Sequence, residues 1–183
     1  MMKNFPRGFG CMSLLMMVLL VLAVSPCFGG EQEFVKQVQD TIKLFKEKDP
    51  GLKKFFNGAQ GYAVFPTVGK GGIGIGVARG KGLVYERGRR VGEVTLTQVT
   101  IGAQVGGQSY SEVVFLENKE TMDSFKGDDF ALSAQVGATA AASGSSSNAK
   151  YKLGVAVFTL VKGGLMAEAS VGGQKFEFSP LSK

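Results

Sequence analysis

Glycine recurs through the larger part of this chain, within segments whose other residues alternate as they do in β-strands. The sequence has 27 glycines among 183 residues, and most of them follow residue 60. Glycine weakens a flat strand, but it suits a sheet that bends sharply or that another backbone approaches closely. We therefore predict an α+β, mainly β fold, in which a strongly curved, partly closed antiparallel sheet carries N-terminal helices packed against it.

Several stretches have the composition and the alternation of β-strands. The clearest is Val94 to Gln108, which places Val99 and Ile101 on one face and Leu96 on the other. Further strands are predicted at residues 61–66, 72–79, 82–87, 112–117, 130–140, 151–161, 164–171 and 175–178.

Glycine and small polar residues mark the connections between these strands. Gly80-Lys81 separates two of the runs and is interpreted as a hairpin turn. Residues 141–149 are rich in serine and glycine and are predicted to form the most flexible loop. Since no segment has the composition of an interdomain linker, we predict one domain.

The segment 31–48 has the periodicity of an amphipathic helix. Phe34, Val38, Ile42 and Phe45 recur at the spacing of one helix face. This apolar stripe either packs on the sheet or lies in a bilayer interface as a membrane-facing helix.

Two further helices are predicted from capping residues. Asp49 precedes Pro50, an arrangement typical of a helix that has proline at its first position. Asn118 is placed to cap a short helix that runs to Phe125.

The start of the chain has the organisation of a secretory signal peptide. Lys3 and Arg7 precede an apolar stretch, residues 12–24, that is short for a transmembrane helix. We predict a signal peptide at residues 1–29 and a single exported domain at residues 30–183. Its expected location is the periplasm or the outer membrane.

Cysteine and charge then constrain the exported domain. Cys11 and Cys27 both lie in the signal segment, so the domain has no disulfide. A lipid anchor at Cys27 is the alternative, but Pro26 is a poor fit to a processing site that prefers small, flexible residues. Removing the two positive charges of Lys3 and Arg7 lowers the formal net charge from +6 to +4. This mild excess permits attraction to anionic lipid.

The residue types of common catalytic and metal sites are missing. The chain has no histidine, and a domain without cysteine also lacks the usual nucleophiles and zinc ligands. Asp128-Asp129 is interpreted as a solvated turn. Residues 69–76 resemble a phosphate loop, but glycine follows Lys70 and no helix is predicted there. We therefore predict no enzyme activity, no cofactor, no metal, and no nucleotide or nucleic-acid partner.

Basic residues crowd one segment of the chain. They are Lys70, Arg79, Lys81, Arg87, Arg89 and Arg90. Guanidinium groups suit phosphate oxygens, and a basic side chain near an anionic leaflet contributes about 1 kcal/mol. We predict that these residues bind an anionic phospholipid or membrane surface. The alternative is a set of ordinary solvated turn residues.

The order and spacing of several glycine-containing motifs resemble the SYLF domain family over nearly all of the exported domain. The motifs are Gly61-Tyr62-Ala63-Val64-Phe65-Pro66, Gly71-Gly72-Ile73-Gly74-Ile75-Gly76, Gly80-Lys81-Gly82-Leu83-Val84, Gly102-Ala103-Gln104-Val105-Gly106-Gly107-Gln108, Lys162-Gly163-Gly164-Leu165 and Val171-Gly172-Gly173. The chain departs from the family pattern at Glu168, where a small residue is usual.

The resemblance implies a lipid-binding module of the bacterial, exported type. Eukaryotic members of the family bind phosphoinositides and some yeast members bind actin; actin is not an expected partner of an exported protein. Two other functions fit parts of the sequence pattern. One is an integral outer-membrane β-barrel, and the other is a structural envelope protein that assembles through strand edges.

Overall fold

The computed structural model describes residues 28–127, 130–132, 138–140 and 144–181. By its internal contacts the chain divides into two units, Met1–Phe34 and Val35–Lys183. The predicted signal sequence lies outside the described residues except for its last two positions, and it stays a prediction. The account below concerns the second unit.

Three long strands dominate this unit. In chain order the elements are α1 (Phe28–Lys48), a 3-10 turn (Pro50–Leu52), α2 (Lys53–Gly58), β1 (Gly61–Glu86), β2 (Arg89–Leu116), α3 (Lys119–Lys126), β3 (Phe130–Leu132), β4 (Ala138–Ala140), a second 3-10 turn (Ser145–Ser147) and β5 (Val155–Pro180). The strand order is β1-β2-β5-β3 with antiparallel neighbours, and β4 pairs with β5 in parallel. The predicted mainly β, antiparallel fold is confirmed.

The predicted hairpin turn at Gly80-Lys81 is wrong. Both residues lie within β1, which pairs with β2 up to Glu86 and Arg89. The chain reverses at Arg87-Gly88 instead, where φ is 48° and 76°. Two successive positive φ angles give a turn whose twist matches that of the flanking strands.

The glycines at positions 80 and 82 instead allow two parts of the same strand to approach each other closely. A Cβ at Gly82 would lie 2.6 Å from the Val64 carbonyl oxygen and 2.8 Å from the Phe65 ring. A Cβ at Gly80 would lie 2.7 Å from a Val68 methyl group. β1 therefore bends back on itself near Gly74, and the predicted strong curvature is confirmed.

The neighbouring strands follow the same bend. The Tyr110 hydroxyl approaches Gln98 of the same strand at 3.4 Å, and the Phe65 and Phe176 rings, from β1 and β5, are 5.9 Å apart. We call residues 61–71, 107–116 and 155–163 the first limb, and residues 78–86, 89–98 and 173–180 the second limb. Residues 72–77 and 99–106, between them, are the arch.

The two limbs enclose the main hydrophobic core. It is formed by Ala63, Phe65, Val68, Ala78, Val84, Val94, Leu96, Tyr110, Val114, Leu116, Met122, Phe125, Leu132, Val155, Val157 and Phe176. Among the described residues the free edge of β1 pairs with neither β3 nor β4. The sheet is therefore folded over but open, which differs from the predicted partial closure.

Helices cover the outer face of the first limb. The rings of Phe55 and Phe56 on α2 lie 5.4 and 4.8 Å from that of Phe115. Val38 and Phe45 on α1 are fully buried. The predicted packing of N-terminal helices on the sheet is confirmed. On the outer face of the second limb Leu83 and Tyr85 are buried, and Gln39 of α1 donates a hydrogen bond to the Tyr85 hydroxyl at 2.9 Å; Arg79 and Lys81 of the same face are exposed.

Candidate functional site

The structure separates the basic residues that lie close together in the sequence. Arg79 and Lys81 are exposed in the second limb, next to the arch. Arg87 and Arg89 are exposed at the far end of the same limb. Because a strand rises about 3.3 Å per residue, roughly 26 Å of β1 lies between Arg79 and Arg87. These residues therefore form two groups.

The group at the turn lies beside acidic and polar side chains. Arg87 and Arg89 line a shallow depression together with Glu86 and Lys119. Glu86 also accepts a hydrogen bond from Lys126 at 3.0 Å, and this bond holds the pKa of the Glu86 carboxyl below its usual value. Arg90, the third predicted residue here, is half-buried.

Lys70 belongs to neither group. It is only 9% exposed, and it lines a cavity between the limbs rather than an outer surface. A lipid contact by Lys70 would require the limbs to part.

The apolar stripe predicted on α1 faces the protein. Val38, Ile42 and Phe45 are buried, whereas Phe34, in the first unit, is half-buried. Of the two interpretations left open by the sequence, the structure favours packing on the sheet. A membrane-facing role for Val38, Ile42 and Phe45 would require α1 to leave the first limb.

The arch exposes large apolar side chains. Ile73, Ile75 and Ile101 are 82%, 61% and 68% exposed. Val77 and Val99 extend the patch towards the second limb, and Val105 extends it on the other side of the bend. These residues oppose one another across the strands, as Ile73 with Val105, Ile75 with Ile101 and Val77 with Val99. Their side chains therefore form a continuous apolar surface.

Basic side chains border this surface on the outer face of the second limb. Strand alternation puts Ile75, Val77, Arg79 and Lys81 on one face of β1. Lys175 joins them, because Thr97 is paired with both Arg79 and Lys175. Its ammonium group lies 3.6 Å from Glu177. The arrangement is an apolar tip with cationic groups one to two residue rows behind it.

This patch was missed by sequence reasoning. Alternation separated the two faces of residues 94–108 but did not show which face points inwards. A usable signal was present, since Ile75, Val77, Arg79 and Lys81 follow one another at every second position and combine an apolar tip with charge.

A polar cavity lies on the inner side of the bend. Its volume is about 180 Å³, and its lining includes Lys70, Gln98, Gln108, Tyr110, Glu112 and Gln174. Val161 also lines it and is largely exposed, so the cavity reaches solvent on this side.

Glu112 is the most unusual of these residues. Its side chain is fully buried. Oε2 accepts a hydrogen bond from Gln174 Nε2 at 2.9 Å, while Oε1 has no hydrogen-bond partner within the part of the chain that the structure describes. Burial raises the pKa of Glu112 to about 7, and the hydrogen bond from Gln174 opposes this shift. The sequence contained a signal for Glu112, because it shares a strand face with Val114 and Leu116.

Two classes of site can be assessed for the part of the chain that the structure covers. Within it, no three acidic, histidine or cysteine side chains are grouped so that they could hold a metal ion. Nor does any helix there have the length and apolar character needed to cross a membrane.

The folded-over sheet, its helical cover and its exposed apolar arch define a small α+β module with the surface of a binding domain. Residues 97–179 match the family model Ysc84, described as Las17-binding protein actin regulator. This segment belongs to the SYLF family, and the resemblance found in the sequence is confirmed.

One relative supports the same assignment. The chain is 30% identical over 138 residues to Beta cell expansion factor A of Aeromonas veronii. The matched region covers 74% of this chain and 51% of that protein. The chain thus spans about half the length of the relative.

Proposed function

We propose that this chain is a non-enzymatic, exported module that associates peripherally with anionic phospholipid surfaces through the arch. The observation that carries the proposal is the exposed apolar surface at the arch, bordered by Arg79 and Lys81. Membership of the SYLF family is consistent with lipid binding. The signal-peptide pattern supports export.

The magnitudes of the apolar and basic contributions are those of weak, reversible binding. Full burial of one isoleucine side chain stabilises by about 1.5–3 kcal/mol, and Ile73, Ile75 and Ile101 are each more than half exposed. A basic residue near an anionic leaflet adds about 1 kcal/mol. A few kcal/mol from each source offsets part of the free-energy cost of association. The contribution of the basic residues falls as the salt concentration rises.

The names of the family model and of the relative refer to other roles. The family description names actin regulation and the relative's name refers to β-cell expansion. An exported chain does not meet actin inside its own cell, so we propose a lipid surface as the direct partner. Any effect on another cell would follow from that contact.

Sedimentation of the purified chain with vesicles tests this proposal. We expect binding to vesicles that contain phosphatidylglycerol, weaker binding at high salt, and little binding to neutral vesicles. Ile75→Ser with Ile101→Ser should reduce binding at least tenfold. Leu153→Ser is the matched control, because Leu153 is also largely exposed but lies at the end of the first limb away from the arch.

Charge reversal distinguishes the two basic groups. Arg79→Glu with Lys81→Glu should weaken binding and remove most of its salt dependence. Arg87→Glu with Arg89→Glu should leave binding within about twofold. The opposite ranking would place the lipid contact at the turn. Equal binding by all variants would refute the proposal.

A further inference from the structure

A groove lies at the end of the first limb away from the arch. It is bounded by α2, by the residue that follows β2 and by the segment that precedes β5, and its volume is about 590 Å³. Its lining includes Lys54, Phe55, Gly58, Glu117, Lys150 and Tyr151. Small-molecule sites commonly have a volume of roughly 300–1,000 Å³, so the groove has the size of a site for an organic ligand.

Aromatic rings supply the apolar part of the groove. The rings of Phe55 and Tyr151 lie 5.4 Å apart and are inclined at 57°. Phe55 is only 5% exposed, whereas Tyr151 is half-buried and lines the groove with its accessible part. A further ring can pack against Tyr151 in the tilted or edge-to-face arrangements that aromatic pairs prefer.

The charges around the groove favour an anion. Lys54 and Lys150 bring two positive charges to the lining, and Glu117 brings one negative charge. The two segments that form most of the wall, residues 50–60 and 144–154, contain four lysines and no acidic residue. The net charge is therefore positive with Glu117 counted.

Two donors stand beside the aromatic surface. Lys54 Nζ lies 5.2 Å from the centre of the Phe55 ring. Burial, together with the charge of Glu117, raises the pKa of the Tyr151 hydroxyl to about 12, so this group stays protonated at neutral pH. An ammonium group and a protonated hydroxyl both donate hydrogen bonds, which suits a carboxylate because its oxygens only accept them.

A turn of uncommon conformation fixes the two sides of the groove. Leu153 and Gly154 have φ angles of 52° and 77°, and Lys152 and Val155 exchange backbone hydrogen bonds of 2.8 and 3.0 Å. A leucine with positive φ is rare, and such residues cluster at ligand sites and other functional positions. The Gly154 carbonyl also accepts a hydrogen bond from the Glu117 N–H at 2.9 Å. The turn therefore holds the end of β2 and the segment before β5 together.

We infer that this groove binds a small aromatic carboxylate, whose ring packs on Tyr151 while its carboxylate pairs with Lys54 and Lys150. The groove and the arch lie at opposite ends of the first limb, so this site does not depend on the proposed membrane association.

Calorimetric titration of the full chain with indole-3-acetate tests the inference. We expect saturable binding that weakens as the salt concentration rises. Indole-3-acetamide has nearly the same shape but no charge, and acetate has the charge but no ring. Each should bind at least tenfold more weakly than indole-3-acetate. Failure of indole-3-acetate to bind, or equal binding of the amide, would overturn the inference.

Charge variants assign the carboxylate contact. Lys54→Gln with Lys150→Gln should weaken indole-3-acetate binding at least tenfold. Lys36→Gln with Lys43→Gln is the matched control, because both lysines are exposed on α1 and the net charge changes equally. Equal weakening by the two pairs would show a general effect of charge and would contradict a site at the groove.

A steric variant assigns the position of the ring. A Cβ at Gly58 meets nothing within 4 Å, so Gly58→Leu should fold and fill the groove from its wall, with loss of indole-3-acetate binding and an unchanged circular dichroism spectrum. Ile75→Ser with Ile101→Ser, at the arch, should leave this binding unchanged. Gly58→Leu should in turn leave vesicle binding unchanged, so the two proposals fail separately. Unchanged affinity in folded Gly58→Leu, or loss of affinity in the arch variant, would refute the groove as the site.

Discussion

At the scale of single residues, Asp49 joins two distant parts of the chain. Its side chain accepts a hydrogen bond from the Gly51 backbone N–H at 3.1 Å, from the Ser146 backbone N–H at 2.7 Å and from the Ser146 hydroxyl at 2.9 Å. Burial raises the pKa of Asp49, but these hydrogen bonds outweigh it and hold the pKa below its usual value. The sequence predicted the cap from Asp49-Pro50. It could not predict Ser146, which lies 97 residues away.

Replacing Asp49 should therefore lower the stability of the fold by more than the loss of a helix cap alone would. We expect Asp49→Ala to lower the free energy of unfolding by about 2–3 kcal/mol, because the Ser146 and Gly51 donors lose their acceptor. Urea denaturation at pH 7 measures this loss, with Asp40→Ala as the control, because Asp40 is exposed on the preceding helix α1. Because the Asp49 pKa is lowered on folding, this difference should shrink as the pH falls through the folded-state value. Similar values for the two variants at pH 7 would contradict this account.

At the scale of elements, β1 shows why one bent strand was interpreted as two. Gly80 interrupts an alternating run, and glycine followed by a polar residue is a common hairpin signal. In the structure the interruption marks a crossing, where Gly80 and Gly82 lie against residues of the first limb. A close approach and a turn both require glycine, so the sequence alone could not distinguish them.

Gly82 provides a test of the crossing. Gly82→Ala puts a methyl group 2.6 Å from the Val64 carbonyl oxygen, and we expect a loss of about 1–3 kcal/mol from overpacking. Gly69→Ala is the control in the same strand, because a Cβ at Gly69 meets nothing within 4 Å. Thermal denaturation of both variants measures the difference. If Gly82→Ala is as stable as Gly69→Ala, the limbs do not approach as described.

At the scale of the whole molecule, the sequence predicted the fold class, whereas the spatial arrangement of the candidate site residues could be read only from the structure. Glycines within alternating strands correctly indicated a curved sheet, because curvature depends on the local backbone conformation, and this is visible in the sequence. The residues of the basic segment are divided into separate groups, because positions along a strand are about 3.3 Å apart per residue. The arch and the Glu112 cavity depend on which residues meet across the fold, such as Glu112 and Gln174, 62 positions apart.

The free energy of unfolding should depend on pH because of Glu112. The unfolded carboxyl loses its proton near pH 4.5 and the folded one near pH 7, so the folded state holds the extra proton between these values. The contribution of this proton to the free energy of unfolding is fully present below about pH 4.5, and it is lost as the pH rises through 7. The total loss is about 3 kcal/mol.

Glu112→Gln isolates this contribution. We expect the difference in urea stability between the variant and the parent chain to grow in favour of the variant from pH 4.5 to pH 8. Glu117→Gln, an exposed position at the end of β2, should follow the parent chain. A difference that stays constant with pH would show that Glu112 keeps an ordinary pKa in the fold.

The pairing of β2 with β5 also bears on how the chain reaches its fold. This ladder runs from Leu116 with Val155 to Gly92 with Pro180, so its partners are 39 to 88 positions apart. Contacts between such distant residues form slowly, because loop closure precedes the interactions that reward it. The β1–β2 hairpin can close from its tight turn while the last strand is still being synthesised. The edge of β2 then stays uncovered until the 26 residues of β5 arrive, and an uncovered strand edge can pair with another chain, so aggregation is most favoured at this stage.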